Sequence, residues 1–343
     1  MLRLYFAPLE GVTDVNFRRI HAQIFPESRA DRYYAPFFSP TVDTPMTERD
    51  IRALSPENNR GLCVIPQIMA NRPEPFLIAA RELSAMGYDE VNLNLGCPSG
   101  TVVSKGRGAG FLSDPDALDR FLDAVFSDGL FAPPTVSAQM RLSVKSRLGM
   151  FSPDEYPDIL DIYNRYPISE LILHPRVRKE MYKGDVHTDQ TVYTQTHSAL
   201  PLCVNGDIFT CGDAAALLSA LPQKPHALML GRGAVANPML FAQIRALETG
   251  STIPALTKDH IAAFFTALTE DALCRLSGER HVLFRLKELF AYWIVLFDDA
   301  DIYRKRLRKA NTLAEFHAAA EGLFSDCALS EDPGFLGNAK MNG

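Results

Sequence analysis

An amide at Gln67, an amide and a thiol at Asn94 and Cys97, an ammonium at Lys145 and an imidazole at His174 each stand at or near the end of a short apolar run. Those groups can bind a polar ring, move a proton or attack a carbonyl. The stretch Asn92 to Gly100 reads NLNLGCPSG, so the thiol leaves an alternating strand and enters a loop between Gly96 and Pro98. Buried cysteines usually behave as small hydrophobes, and that reading suits Cys63, Cys203 and Cys274. It suits Cys97 poorly. A thiol there could be a nucleophile or a proton donor, and the residues alone leave both open. Lys145, within LSVKSRL, could hold negative charge at one edge of a bound ring or form a Schiff base. Gln67 offers both a donor and acceptors, which suits the edge of a pyrimidine-like ring.

Strands must carry these groups to one place. Apolar runs at 4–10, 32–38, 63–69, 90–96, 136–148, 170–175, 201–207 and 227–233 read as strands, and amphipathic segments such as 74–87 and 115–127 lie between them. The latter segment starts with Ser113 or Asp114 as a cap and Pro115 in the first turn. Strands alternating with helices imply parallel pairing. Eight such units imply an α/β fold, a (β/α)8 TIM barrel, here residues 1–250. In that fold the chemistry sits at the carboxyl ends of the strands, which are Pro8-Leu9-Glu10, Gln67, Asn94 with Cys97, Lys145, His174 with Arg176, Asn205-Gly206-Asp207 and Gly231-Arg232-Gly233. Gly206, Gly231 and Gly233 allow backbone N–H groups to approach an anion, with a helix expected from about Val235 and Arg232 adding charge, so a phosphate is expected at the last two strands. The run SGTVVSKGRGAGFL after Cys97, with Lys105 and Arg107, reads as a mobile flap.

From about residue 258 to 325 only helical periodicity is found, and 326–343 reads as a tail. The chain as a whole carries −6, yet Arg275 to Lys309 holds nine Lys/Arg against five Asp/Glu. That basic run makes a nucleic-acid partner admissible, although a solvated helix face explains it equally well. No run reaches the roughly 18 apolar residues of a membrane span. The six cysteines form no CxxC pair, which argues against zinc or a disulfide framework, and a reducing cytoplasm is the expected compartment.

The segments APLEGVTD (7–14), NLNLGCPS (92–99), KGRGAGFL (105–112), SVKSRLG (143–149), HPRVRKEMYKG (174–184), NGD (205–207) and GRG (231–233) together resemble the tRNA-dihydrouridine synthases, in that family's order. The resemblance covers the barrel end to end, while the helical segment agrees in length and character only. It implies an oxidoreductase that takes electrons from NADPH through bound FMN and reduces the C5–C6 bond of a uridine in tRNA. By that resemblance Pro8, Leu9, Glu10, Gln67, Lys145 and His174 would meet the flavin. Asn205, Gly206 and Asp207, with Gly231 and Arg232, would meet its ribityl chain and phosphate. Cys97 would be the general acid and Asn94 would face the uracil. Leu9 stands where the family usually has methionine, a swap of similar volume. A flipped-out uridine also needs a second grip on the RNA. Arg280, Arg285, Lys287 and 304–309 of the helical domain (258–325) are expected to supply it, with Lys105, Arg176, Arg178, Lys179 and Lys183 on the barrel side. The implied partners are tRNA and NADPH, with no membrane, and a monomer is expected. The competing readings are an FMN-dependent dehydrogenase of a free pyrimidine, similar to dihydroorotate dehydrogenase, a flavin-free lysine aldolase, and a non-catalytic RNA-binding protein.

Overall fold

The computed structural model describes residues 2–131 and 139–330. Its strands are β1 (Arg3–Phe6), β2 (Arg32–Tyr34), β3 (Val64–Ile65), β4 (Gln67–Ile68), β5 (Glu90–Leu95), β6 (Arg141–Ser146), β7 (Glu170–Leu173), β8 (Leu202–Asn205) and β9 (Ala227–Leu230). They form one parallel sheet in the order β3-β2-β1-β9-β8-β7-β6-β5-β4. The two ends of that order are halves of one strand. Pro66 lies between β3 and β4, and a proline has no N–H to give a ladder. β3 therefore pairs with β2 and β4 with β5, while the Pro66 carbonyl still accepts from Asn92 N at 2.9 Å. The ring closes through that broken strand, which makes this the expected (β/α)8 barrel followed by a helical region. All eight expected strands are present. The start of the expected strand 136–148 (136–138) lies outside the described residues, as does 331–343 of the expected tail.

Side-chain alternation sorts the strands' residues into faces. Register aligns Gln67 with Asn92, Asn92 with Ser143 and Asn94 with Lys145. On the other strands Tyr5, Ala7, Tyr34, Ile65, Ile172, Cys203, Ala227 and Met229 form one buried apolar cluster, with Leu9 packed against it. The barrel is thus lined by amides and a lysine along β4–β6 and by apolar and aromatic groups elsewhere. At its floor Glu170 accepts from Tyr5 Oη (3.2 Å), Tyr34 Oη (3.4 Å) and Arg32 Nη1 (3.5 Å) and meets His226 Nδ1 at 2.6 Å. Arg32 also bridges Glu90, 3.2 Å from both carboxylate oxygens.

Helix Pro115–Ser127 begins as expected, with Pro115 in its first turn and the Asp114 carboxylate accepting from Ala117 N at 2.9 Å. Asp114, not Ser113, is the cap.

The chain divides into two compact units. One takes the segments up to Gly11, Asp31–Asp207 and Ala215–Met229, and the other takes Val12–Ala30, Ile208–Ala214 and the chain from Leu230 on. The second unit therefore includes three segments on the barrel side of the residue-250 boundary, 12–30, 208–214 and 230–250. The reason is aromatic: Phe25 stacks edge-on against Phe264 (centroids 5.2 Å), Phe264 tilts against Trp293 (5.5 Å), and the Trp293 indole donates to Val235 O at 2.9 Å. His21 lies in the same core, fully buried, 3.1 Å from Pro238 O. Burial pulls its pKa down to about 4, so it folds neutral. The unfolded chain takes up a proton near its ordinary value, about 6.5, and the folded chain does so only near pH 4. His21 should therefore cost the fold up to about 3 kcal/mol as pH drops through that window. Urea unfolding at pH 7 and pH 4.5 checks this, with a His21→Phe variant expected to lose part of the acid sensitivity. Among the described residues no helix is long and apolar enough to cross a membrane.

Candidate active site

The loop after β5 is held from several sides. Asn94 Oδ1 accepts from both Gly96 N and Cys97 N at 3.0 Å, and Asn94 Nδ2 donates to Gln67 Oε1 at 2.7 Å. Gln67 Nε2 donates to Asn92 Oδ1 at 2.7 Å, and Asn92 Nδ2 to Ser143 Oγ at 3.0 Å. Each of the Gln67 and Asn94 amides keeps one N–H beyond those bonds. Arg147, 1% exposed, donates to Gly96 O (2.9 Å) and Val177 O (3.1 Å) and sits over the Tyr182 ring. Arg178 Nε donates to Pro98 O at 3.2 Å.

Sequence reasoning did not single out Ser143, Arg147 or Gly108 as parts of the site, and it did not separate the role of Asn92 from that of Asn94. The available signal for Arg147 was its spacing, two residues beyond Lys145 on the same strand run. Gly108 has φ +55°, and a Cβ there would lie 2.8 Å from Cys97 O and 3.0 Å from Cys97 Cβ. No other residue fits against the thiol loop. The expected flap is only partly free. Gly108–Ser113 forms a 3-10 helix whose Ala109, Phe111 and Leu112 are buried, while Ser104 and Lys105 are exposed.

Burial raises the Cys97 thiol above its usual pKa, and the Ser99 backbone, Arg147 and Lys145 offset this only in part. The thiol is therefore protonated at neutral pH. Lys145 moves the opposite way: burial, then the Arg147 charge, pulls its ammonium down to about 8. No carboxylate pairs with it among the described residues. Desolvation also raises the Glu10 carboxyl, which is half exposed and 3.9 Å from Arg49. Cys203 is buried as expected, but Cys63 and Cys274 are exposed: Cys63 precedes the first residue of β3, and Cys274 lies beside the half-exposed Leu273 near the end of helix Lys258–Arg275.

His174 is buried, and its Nε2 lies 3.2 Å from Arg176 Nη1. Arg176 is 1% exposed and bonds Asp207 Oδ2 (2.5 Å) and the Gly184 carbonyl, so it braces the site from within and presents no open guanidinium to an RNA. Asn205 Nδ2 donates to Met229 O at 2.8 Å. Gly206 has φ +134°, and a Cβ there would stand 3.0 Å from the His174 ring.

Gly231 and Arg232 belong to the second unit. The helix after them begins at Arg232, not near Val235. Gly233 is required for packing, since a Cβ would lie 2.1 Å from Ile208 O. Arg232 stacks over Phe209 at 5.3 Å.

In the second unit Arg285 donates to Val12 O (2.5 Å) and lies 3.7 Å from Asp14, and Lys287 Nζ donates to Arg308 O (3.0 Å) and Ala310 O (2.5 Å). Both basic groups are thus tied to their own fold, the lysine by satisfying carbonyls at the end of helix Asp301–Lys309. On that helix Lys305, Arg306, Arg308 and Lys309 are exposed.

A protonated thiol, amide N–H groups and an ammonium thus stand at the carboxyl end of a parallel barrel, the end where TIM-barrel proteins carry their chemistry. The family model described as "Dihydrouridine synthase (Dus)" matches residues 5–329. The chain belongs to that family. It is 26% identical over 318 residues to a "Probable tRNA-dihydrouridine synthase" of Staphylococcus aureus (strain COL), covering 91% of this chain and 90% of that one. It is 24% identical over 333 residues to "tRNA-dihydrouridine synthase B" of Pasteurella multocida (strain Pm70), covering 94% and 93%. Among solved structures, histamine dehydrogenase from Rhizobium sp. 4-9 shares the fold with a TM-score of 0.54 at 11% identity, over 77% of this chain and 49% of that one. A 2-naphthoyl-CoA reductase complex does so at 0.51 and 10%, over 73% and 50%. This chain spans about half the length of those two structures.

Proposed function

We propose that the protein reduces the C5–C6 double bond of uridine in tRNA, with FMN bound in the barrel mouth and NADPH as the electron source. The observation that carries the reading is the Cys97 thiol, kept protonated by burial on a loop whose backbone is fixed by Asn94. FMN fits the residues present, because the half of the barrel along β4–β6 offers spare amide N–H groups and an ammonium with no carboxylate partner among the described residues. Gln67 and Lys145 would hold the polar edge of the ring, with Pro8, Leu9, Glu10 and His174 around it. Asn205, Gly206 and Asp207 would line the path of the ribityl chain.

When bound and reduced, the flavin supplies the hydride that uracil C6 accepts. Negative charge then develops on C5 and O4 of the base. The Asn94 N–H is available to the base edge, and Cys97 donates its proton to C5, which completes the addition of two electrons and two hydrogens. The thiol must be neutral before the step, and burial ensures that. Lys145 keeps its charge below about pH 8, where it favours an anionic ring edge. Helical residues 258–325 are read as the tRNA-binding domain. With Arg285 and Lys287 engaged internally, the exposed Lys305, Arg306, Arg308 and Lys309 are the better candidates to meet phosphates.

The test uses purified protein, NADPH and a tRNA transcript that lacks modification. Dihydrouridine should form in the transcript, and denaturation should release FMN. Faster reduction of a free pyrimidine than of tRNA would favour the dehydrogenase alternative, and release of FAD or of no flavin would sink the reading.

A further inference from the structure

The hydrogen bonds beneath the thiol loop run in one direction. Gly96 N and Cys97 N both point at one side-chain atom of Asn94, 3.0 Å away, and only an oxygen can receive them. The Asn94 NH2 must then face Gln67, so Gln67 turns its oxygen to Asn94 and its NH2 to Asn92, each at 2.7 Å. Asn92 in turn directs its NH2 to Ser143 Oγ at 3.0 Å. Turning any one amide over would set N–H against N–H or oxygen against oxygen at its amide or backbone neighbours. Asn92 and Ser143 have no exposed surface, and both Asn92 amide atoms are engaged, one by Gln67 and one by Ser143. Asn92 thus has no route to a ligand, yet it supplies the acceptor that, with Asn94 on the other side, holds Gln67 in its orientation.

We propose that Asn92 is a positioning residue. By accepting from Gln67 it fixes the orientation of that amide and, through Asn94, the backbone of the loop that carries Cys97. Ser143 anchors the far end. Leucine at position 92 would remove the acceptor, leave the Gln67 NH2 without that partner and loosen Gln67, so that Asn94 keeps its two backbone bonds but loses the fixed amide it donates to. Aspartic acid in the same buried place, protonated, offers the same carbonyl to Gln67 and the same donor to Ser143.

The kinetic part of the test rests on the function proposed above, and the chemical part does not. Asn92→Leu is expected to lower kcat for uridine about 10²-fold with KM for tRNA within about threefold, since a displaced acid slows the step without weakening RNA binding. Asn92→Asp should recover to within about tenfold of the parent, and Ser143→Ala should lose about threefold to tenfold. In parallel, alkylation by iodoacetamide is followed peptide by peptide. The rate at Cys97 should change about tenfold in Asn92→Leu and less in Ser143→Ala, while Cys63 on the exposed surface keeps its rate. If the Leu variant fails to fold, Ser143→Ala and Asn92→Asp decide. Parental kcat and parental Cys97 alkylation in every folded variant would overturn the proposal, as would an Asp variant no better than the Leu variant. If the parent protein reduces no uridine, the functional reading falls, and the Cys97 alkylation rates still decide whether Asn92 positions the loop.

Discussion

Cys97→Ala should slow uridine reduction by about 10²–10⁴-fold, the usual range for a general acid, while FMN content and the oxidation of NADPH stay at parental levels. The reason lies in where the thiol sits. Its backbone is held by Asn94 and Gly108 abuts it, so removing the sulfur leaves the loop intact and removes only the proton. The parental rate should hold through neutral pH and fall only at alkaline pH, because burial moves the thiol upward from its ordinary value. Single-turnover reduction of tRNA by prereduced protein separates this step from the NADPH half. An alanine variant that reduces tRNA at the parental rate would remove Cys97 from the mechanism.

The second large effect concerns the other end of the barrel and stability. Glu170 is 2% exposed and satisfies two tyrosine hydroxyls, Arg32 and His226. Both hydroxyls are held neutral, burial being the main cause and the Glu170 charge the next. Glu170→Ala would strand these donors in a desolvated floor and leave Arg32 with Glu90 alone. Removing one partner of such a buried group costs about 3–5 kcal/mol, read as a lower urea midpoint. The activity of the protein that remains folded should be unchanged, because Glu170 opens β7 and the thiol follows the end of β5. A variant of parental stability would show that the floor tolerates two unpaired tyrosine hydroxyls and an arginine held by Glu90 alone. A variant of parental midpoint and low activity would assign Glu170 a role in chemistry.

The barrel was legible because eight apolar runs and the helical segments between them have periods that no other fold shares so well. Register was not, since Pro66 reads as a residue within one strand and only the pairing shows that it joins two neighbours at a seam. The chemical types at the strand ends could also be read, Cys97 best of all, flanked as it is by Gly96 and Pro98. What could not be read was direction. Asn92 and Asn94 look equivalent in NLNL, yet one ends buried under Gln67 and the other holds the loop. Arg176, Arg285 and Lys287 count as free positive charges in a sequence, and folding ties all three to carbonyls or carboxylates. Glu90 and Glu170 stand as acidic first residues of apolar strands, a position that usually reads as solvent, and here they face an arginine that the sequence places far away.

Because β1, the first strand made, pairs with β9, the last, the timing of synthesis becomes part of the fold. β1 ends at Phe6 and β9 starts at Ala227. A ribosome adding about 5–20 residues per second leaves the first strand waiting on the order of ten to forty seconds for that neighbour. β2 covers one side of β1 early, and the other side stays open as an unpaired edge, which is a site for pairing with a neighbouring nascent chain. Slow codons anywhere before β9 lengthen that exposure. Crowded polysomes should therefore be the condition under which this protein aggregates, even when the finished barrel is stable.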